Sequence, residues 1–86
     1  MAGLLKFSEM VAQERQQAAR YRELGRPNLA AQIDARCDVA EKWLKENKLW
    51  SRKSARSYSI HPIPKVTLAD LTRNGMSEQD ALSVLL

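Results

Sequence analysis

The sequence predicts an all-α protein made of an antiparallel helical hairpin, an extended basic strap that contains prolines, and a short C-terminal helical pair. Two long stretches carry apolar residues at every third or fourth position, which is the period of an amphipathic helix. A basic region with two prolines follows them, and then a tail with two cap-like openings. We assign residues 1–50 to the hairpin, 51–66 to the strap and 67–86 to the tail. Because the chain has 86 residues, the three parts together form one small domain.

The first helix is predicted to begin at Ser8, a possible N-cap, or earlier near Leu4. Its apolar face comprises Phe7, Met10, Val11, Ala18, Tyr21 and Leu24. Residues 13–17 are polar all round, so we expect this helix to contact its neighbour best at its two ends. Gly25 provides a left-handed stop, and Pro27 prevents simple continuation because it has no amide hydrogen.

The second helix is predicted to start within a few residues and to run antiparallel to the first. Its apolar face comprises Leu29, Ile33, Cys37, Ala40 and Leu44, flanked by Ala30 and Trp43. Acidic residues precede basic ones by four positions at Asp38 and Lys42 and at Glu41 and Lys45. Each such pair stabilises an exposed helix by about 0.2–0.5 kcal/mol. We therefore expect a helical hairpin over residues 5–49.

The spacing of Tyr21, Gly25 and Ala30 resembles that of a tetratricopeptide helix pair, in which an aromatic, a glycine and a small residue let two helices cross closely. One copy is visible, and no second unit follows at the period of that repeat family. A generic helical hairpin is the alternative interpretation, and it is the one that we favour.

The strap is the most basic part of the chain. No acidic residue lies between Glu46 and Asp70, whereas the cations there are Lys48, Arg52, Lys53, Arg56 and Lys65. Tyr58, Ile60, Pro62, Pro64 and Val66 alternate along one side. Each proline pushes the residue before it toward extended geometry, so we expect an extended strap and not a third long helix. The two X-Pro bonds are expected to populate cis isomers if the segment is mobile, and Pro62 or Pro64 could then be contacted by a prolyl isomerase.

Three interpretations of the strap remain open. Its cations, with Trp50, Tyr58 and His61, could bind nucleic-acid phosphates and stack on unpaired bases. It could instead lie as an extended peptide on a protein partner, with alternate side chains as anchors. It could also be a solvated linker. We favour the protein partner, because no RNA-binding signature of the RRM or KH type is present.

The tail carries two predicted N-caps, Thr67 with Asp70 and Ser77 with Asp80, and a turn at Gly75 between them. We predict short helices over 68–74 and 78–85. Their apolar side, which must be covered, comprises Leu71, Met76, Leu82, Val84, Leu85 and Leu86.

Residues 67–86 resemble a bacterial helix-turn-helix, which often runs Leu-Ala, then Gly-apolar-Ser, then apolar-Ser-x-apolar. The resemblance implies DNA reading by the second helix. Asn74 occupies a normally apolar position, and the predicted recognition helix carries Glu78 and Asp80 but no basic residue, so phosphates would repel it. The alternative is a turn motif that caps the core or docks on another protein.

The sequence predicts no catalysis. Cys37 lies on an apolar face, where a buried thiol is usually inert, and His61 precedes a proline in a segment poorly suited to hold a base in register. One cysteine and one histidine cannot supply the four ligands of a structural zinc site, so we expect neither metal nor cofactor. With no apolar run long enough to span a bilayer, we expect a cytoplasmic protein with no membrane contact.

We therefore predict a non-enzymatic regulator that binds a larger protein. Trp43 is expected in the core, and Trp50 is expected as an interface anchor. The predicted partner-binding residues are Trp50, Arg52, Lys53, Arg56, Tyr58, Ile60, Pro62, Ile63, Pro64, Leu82 and Leu85. The small size without catalytic motifs resembles the accessory proteins of temperate phages and other mobile elements, including those that modify the host RecBCD recombination nuclease. The alternative is a basic nucleic-acid-binding protein that uses the 48–65 strap; nucleic acid could also be reached through the protein partner.

Overall fold

The computed structural model describes residues 5–54 and 65–86, and the all-α class is confirmed. The elements of these ranges are β1 (Leu5–Lys6), α1 (Phe7–Glu23), α2 (Pro27–Glu46), β2 (Lys53–Ser54), α3 (Leu68–Arg73) and α4 (Glu78–Leu85). Helices α1 and α2 pack as the predicted hairpin, and α3 packs on α2. The predicted alternation of Tyr58, Ile60, Pro62 and Pro64 and the two X-Pro bonds lie outside the described residues.

The turn between α1 and α2 follows from two local sequence signals. Gly25 has a φ of +78°, which a residue with a side chain adopts only with strain. The amide of Arg26 donates to the carbonyl of Tyr21 at 2.8 Å, and that of Gly25 donates to Arg22 at 3.1 Å, which together form a Schellman motif. Pro27 then occupies the start of α2, where no amide donor is needed.

The start of α1 differs from the predicted Ser8 cap. The helix begins at Phe7, and the preceding Lys6 makes no side-chain capping bond. The amides of Phe7 and Ser8 donate instead to the carbonyls of Arg52, at 2.9 Å, and Trp50, at 3.0 Å. Backbone carbonyls from the segment after α2 thus satisfy two of the amides that the start of a helix leaves without partners. No local sequence pattern could reveal this cap.

The same return of the chain forms a two-stranded antiparallel ladder. Leu5 pairs with Ser54 and Lys6 pairs with Lys53. The ladder was not predicted, because two-residue strands carry no recognisable period. It fixes the first part of the strap, Lys53–Ser54, in the extended conformation that the sequence predicted.

Helix α2 ends before Trp50. Asn47 follows its last residue, and Lys48 has a φ of +59°, so Trp43 and Trp50 do not share one helical face. Both tryptophans are half-buried against the same apolar cluster. The ammonium of Lys45 lies 5.0 Å from the ring centroid of Trp50, within the range of a cation–π contact.

The core consists of two clusters along α2. The first lies between the first part of α1 and the second half of α2, and it contains Val11, Cys37, Ala40 and Leu44. The second joins the tail to α2 and contains Ala31, Ala35, Leu71, Met76 and Ala81. Leu24, which is 66% exposed, and Leu29, which is 39% exposed, are among the residues of the predicted apolar faces that lie outside both clusters. Leu24 lies at the C-cap of α1, beyond the last turn that packs on α2.

The tail confirms the predicted helices and caps. Thr67 and Asp70 form a reciprocal capping box, with the side chain of Thr67 accepting from the Asp70 amide and that of Asp70 accepting from the Thr67 amide. The side chain of Ser77 accepts from the Asp80 amide at 3.2 Å. Gly75 has a φ of +99°, and the Met76 amide donates to the Leu71 carbonyl at 3.2 Å. The tail therefore folds back through a second Schellman motif.

Candidate partner-binding surfaces

The polar middle of α1 is attached to α2 by charge. The guanidinium of Arg15 donates to Asp34 at 3.3 Å and to Asp38 at 2.9 Å, and it lies 3.6 Å from Glu41. The middle of α1 therefore contacts α2 as well, through ion pairs that the apolar spacing did not predict. Helical periodicity counts apolar residues, and it does not reveal that one arginine reaches three carboxylates on a neighbouring helix.

Two further side chains, Arg22 and Asn74, attach the tail to the carboxylates of α2. Arg22 donates to Asp34 at 2.5 Å and, from its other terminal nitrogen, to the carbonyl of Asn74 at 3.4 Å. The side-chain amide of Asn74 donates to Asp38 at 2.9 Å and to the Asp70 carbonyl at 2.8 Å. Asn74 occupies the position that is normally apolar in a helix-turn-helix, and here it links the turn before α4 to α2. We call Arg15, Arg22, Asp34, Asp38 and Asn74 the ionic cluster.

The ionic cluster is expected to make the stability of the fold decrease at acidic pH. Partial burial alone would raise the pKa of Asp38, but the hydrogen bonds from Asn74 and Arg15 and the charges of Arg15 and Arg73 outweigh it, so that pKa lies below its ordinary value. Because the pKa is lower in the folded than in the unfolded state, the stabilisation is present above the unfolded value of about 3.9. It is lost as the pH falls through the folded value.

As the pH falls below about 5, Asp38→Asn is therefore expected to lose less stability than the unmodified protein does. Urea unfolding followed by circular dichroism at several pH values measures this difference. Glu46→Gln, at an exposed acid of the same helix, serves as the control and should follow the unmodified protein. Parallel pH profiles for Asp38→Asn and the unmodified protein would contradict the assignment.

Cys37 belongs to the core. It is fully buried, and its sulfur lies 3.9 Å from the Val11 carbonyl and 3.9 Å from a Glu14 carboxylate oxygen. Burial, with the nearby charge of Glu14, raises the pKa of the Cys37 thiol to about 12. A thiol that stays protonated and covered is neither a nucleophile nor a metal ligand at neutral pH.

An apolar groove of about 260 Å³ lies between α2 and α4. It is lined by Leu29, Gln32, Ile33, Arg36, Val66, Leu71, Val84 and Leu85. Leu85 is 43% exposed, and Leu82, one turn earlier on α4, is 44% exposed. The tail thus covers part of its predicted apolar side with α2 and leaves the rest beside an open groove.

The rim of the groove is positively charged. Arg36 is the charged residue among those that line it, and it is exposed. Within residues 5–54 and 65–86, no carboxylate forms an ion pair with Arg36 or with Lys65, which precedes the lining residue Val66. An anionic group on a partner could therefore pair with Arg36 without displacing an ion pair between described residues.

A second cleft, of about 400 Å³, lies between α2 and α3. Its lining includes the cations Lys42, Lys65 and Arg73 and the carboxylates Asp38, Glu46 and Asp70. The charges of the two kinds balance, and two of the acids are already engaged by Asn74 and Thr67. Since this cleft selects neither anions nor cations, it is a weaker candidate than the groove.

The predicted partner-binding residues are divided between separate places. Trp50, Arg52 and Lys53 lie in the turn and strand beside the start of α1, whereas Leu82 and Leu85 lie on α4. The remaining members, Arg56, Tyr58, Ile60, Pro62, Ile63 and Pro64, lie outside the described residues. Sequence reasoning missed the groove residues Leu29, Ile33, Arg36 and Val84 as a site. Leu29, Ile33 and Val84 had been assigned to apolar faces, but only the packing of α4 shows that those faces meet.

Comparisons with known proteins give no relative for this chain: no family model, no curated protein and no solved structure matches it. None of the helices in the described ranges is both long and apolar enough to cross a membrane. In the same ranges, no three histidine, cysteine, aspartate or glutamate side chains are grouped as ligands for a metal ion.

Proposed function

We propose that this protein is a non-enzymatic regulator that binds a larger protein by receiving one of its helices in the groove between α2 and α4. The observation that carries this proposal is the exposure of Leu82, Val84 and Leu85, at 43–44%, beside that groove. Large apolar side chains grouped around a groove are typical of interaction sites, whereas isolated ones are ordinary.

The shape of the groove favours a helical occupant. Helices α2 and α4 form two of its walls, Val66 and the α3 residue Leu71 complete the lining, and Leu29, Ile33 and Leu85 lie along it. An amphipathic helix fills such a groove with apolar side chains at positions i, i+3 or i+4, and i+7. The open edge of a sheet would favour an extended peptide instead, and the ladder of this protein lies away from the groove, at the start of α1.

Charge defines the occupant further. Arg36 lies on the rim without an internal ion pair among the described residues, so an acidic residue next to the apolar anchors of the partner helix gains a contact. A basic residue at that place would be repelled. We therefore propose an amphipathic helix with an acidic flank, and a regulatory effect that arises because the partner helix is sequestered. A host nucleic-acid enzyme, of the kind on which mobile-element accessory proteins act, is the partner class that we propose.

Selection from a displayed library of helix-forming peptides tests this function. With peptides of about 16 residues, long enough to form helix on binding, the full-length protein should enrich apolar residues at helical spacing with an acid beside them. Leu82→Asp/Leu85→Asp should weaken binding of the enriched peptides by at least about tenfold, because one charge replaces Leu85 in the groove lining and the other replaces the exposed Leu82 one turn earlier on α4.

The matched control is Gln17→Asp, which adds a charge at an exposed position of α1 and should leave binding unchanged. Circular dichroism verifies that all variants remain helical. Failure of the unmodified protein to enrich any helical pattern would contradict the proposal. Equal enrichment of the same peptides by the Leu82→Asp/Leu85→Asp variant would contradict it as well, since binding would then lie elsewhere.

A further inference from the structure

We propose that the protein has a second, independent surface that binds the phosphate backbone of a nucleic acid. This surface consists of Lys6, Lys48, Arg52 and Lys53, which we call the basic end. It goes beyond the proposed protein-binding function and uses none of the groove residues.

The basic end holds like charges together by backbone structure. Lys6 and Lys53 are cross-strand partners in the ladder, where paired α-carbons lie about 4.5–5.5 Å apart. Like charges directly opposite each other destabilise a ladder. The hydrogen bonds from the Phe7 and Ser8 amides to the carbonyls of residues 52 and 50 hold this arrangement in place. An anion bound between the two lysines would relieve the repulsion.

Among the described residues, no carboxylate forms an ion pair with these cations. All ten acidic residues of the chain lie in the described ranges, and the ion pairs that they form with other described residues involve Arg15, Arg22, Lys45 or Arg73. Glu9, in the first turn of α1, is the acid nearest to Lys6 along the chain, and Glu46 is the acid nearest to Lys48. Four cations against these two carboxylates leave an excess of two positive charges, and all four cations are on exposed residues.

The contacts available at the basic end fit phosphates. Its four side chains are flexible cations on an exposed ladder and turn, which matches sequence-independent contacts to a nucleic-acid backbone. Leu5 is 37% exposed and adds too little apolar surface for insertion into a lipid layer. An acidic protein partner would require complementary apolar contacts at the centre of its interface, and the basic end offers few.

Trp50 does not supply a base-stacking platform. Its ring is half-buried against the core and lies under the ammonium of Lys45. In this position the Trp50 ring is not available to stack on unpaired bases. From the described residues of the basic end we therefore expect no preference for particular bases and none for single strands over duplexes.

Fluorescence anisotropy with the full-length chain and a random-sequence DNA duplex of about 20 base pairs tests the proposal. Contacts to as many as four phosphates predict a slope of log K against log salt of about −3 to −4, and a loss of affinity on the order of 100-fold between 50 and 200 mM salt. Lys6→Gln/Lys53→Gln should make this slope less steep by about two.

Arg20→Gln/Lys42→Gln removes the same charge from exposed positions outside the basic end and serves as the control, with a slope close to that of the unmodified protein. Polyglutamate and phosphatidylglycerol vesicles, added at equal charge, should displace the labelled duplex less effectively than unlabelled duplex does. Absence of duplex binding, an unchanged slope in Lys6→Gln/Lys53→Gln, or displacement by either competitor that equals displacement by unlabelled duplex would overturn the proposal. Leu82→Asp/Leu85→Asp should retain full duplex affinity. The test of nucleic-acid binding by the basic end can therefore fail or succeed independently of the test of helix binding by the groove.

Discussion

Leu71→Ala is expected to destabilise the protein by about 2–5 kcal/mol and to release the tail from α2. Leu71 is 1% exposed, and it packs with Ala31 and Ala35 of α2 and with Met76 and Ala81 of the tail. The alanines around it cannot move in to fill the space, so the deletion leaves a cavity at the centre of the second core cluster. A domain of this size has a total stability of only about 4–13 kcal/mol, so the loss is a large fraction of it.

Urea unfolding followed by circular dichroism measures the loss, and hydrogen exchange of the α4 amides reports release of the tail. Leu82→Ala is the matched control, because Leu82 lies on α4 with 44% of its surface exposed, and it should cost about 1 kcal/mol or less. Equal costs for the two substitutions would show that the tail does not depend on the second core cluster.

Asp34→Ala is expected to cost about 2 kcal/mol by disrupting the ionic cluster. Asp34 is 8% exposed, and it accepts hydrogen bonds from both Arg15 and Arg22. Removing one member of a buried ion pair costs about 3–5 kcal/mol. The two arginine side chains are 36% and 42% exposed, however, so water can solvate them after the substitution. This partial exposure reduces the expected cost.

Thermal and urea unfolding at neutral pH measure the effect of Asp34→Ala. The control is Glu46→Ala, which removes an equal charge from the exposed end of α2 and should change stability by about 0.5 kcal/mol or less. A second comparison, Arg22→Gln, should cost less than Asp34→Ala, since Arg15 still pairs with Asp34. A cost for Asp34→Ala no larger than that of Glu46→Ala would mean that the ionic cluster contributes no net stability.

The helices of this fold could be predicted because their signals are local. Gly25 and Gly75 end helices at positive φ, and Thr67 and Ser77 cap the two short helices through residues three positions away. Each signal needs only a few neighbouring residues, and the bounds of α3 and α4 follow closely from them.

The features that were missed depend on residues far apart in the chain. The carbonyls that accept from the first amides of α1 lie more than forty positions away, at residues 50 and 52. Arg15 reaches Asp34 and Asp38 across the hairpin, and Asn74 reaches Asp38 from the tail. Spacing within one helix contains no information about such pairs, so neither the ladder nor the ionic cluster could be predicted.

The candidate sites were predicted in part. Leu82 and Leu85 were assigned to partner binding from the apolar side of the tail, and that assignment stays a prediction. The groove beside them depends on how α4 lies against Leu29 and Ile33, which the sequence does not specify. Lys53 was predicted as part of a basic strap, but its cross-strand partner Lys6 was not, because the two are brought together by the unpredicted ladder.

The central claim, that the groove between α2 and α4 binds an acidic amphipathic helix, is tested most directly by methyl NMR spectra during titration with such a helix. The best peptide of the library selection, added to the full-length protein, should shift the methyl signals of Leu29, Ile33, Val84 and Leu85. The signals of Val11 and Leu44, buried in the other core cluster, should stay in place. Shifts absent from the groove methyls, or confined to residues outside the groove, would contradict the account.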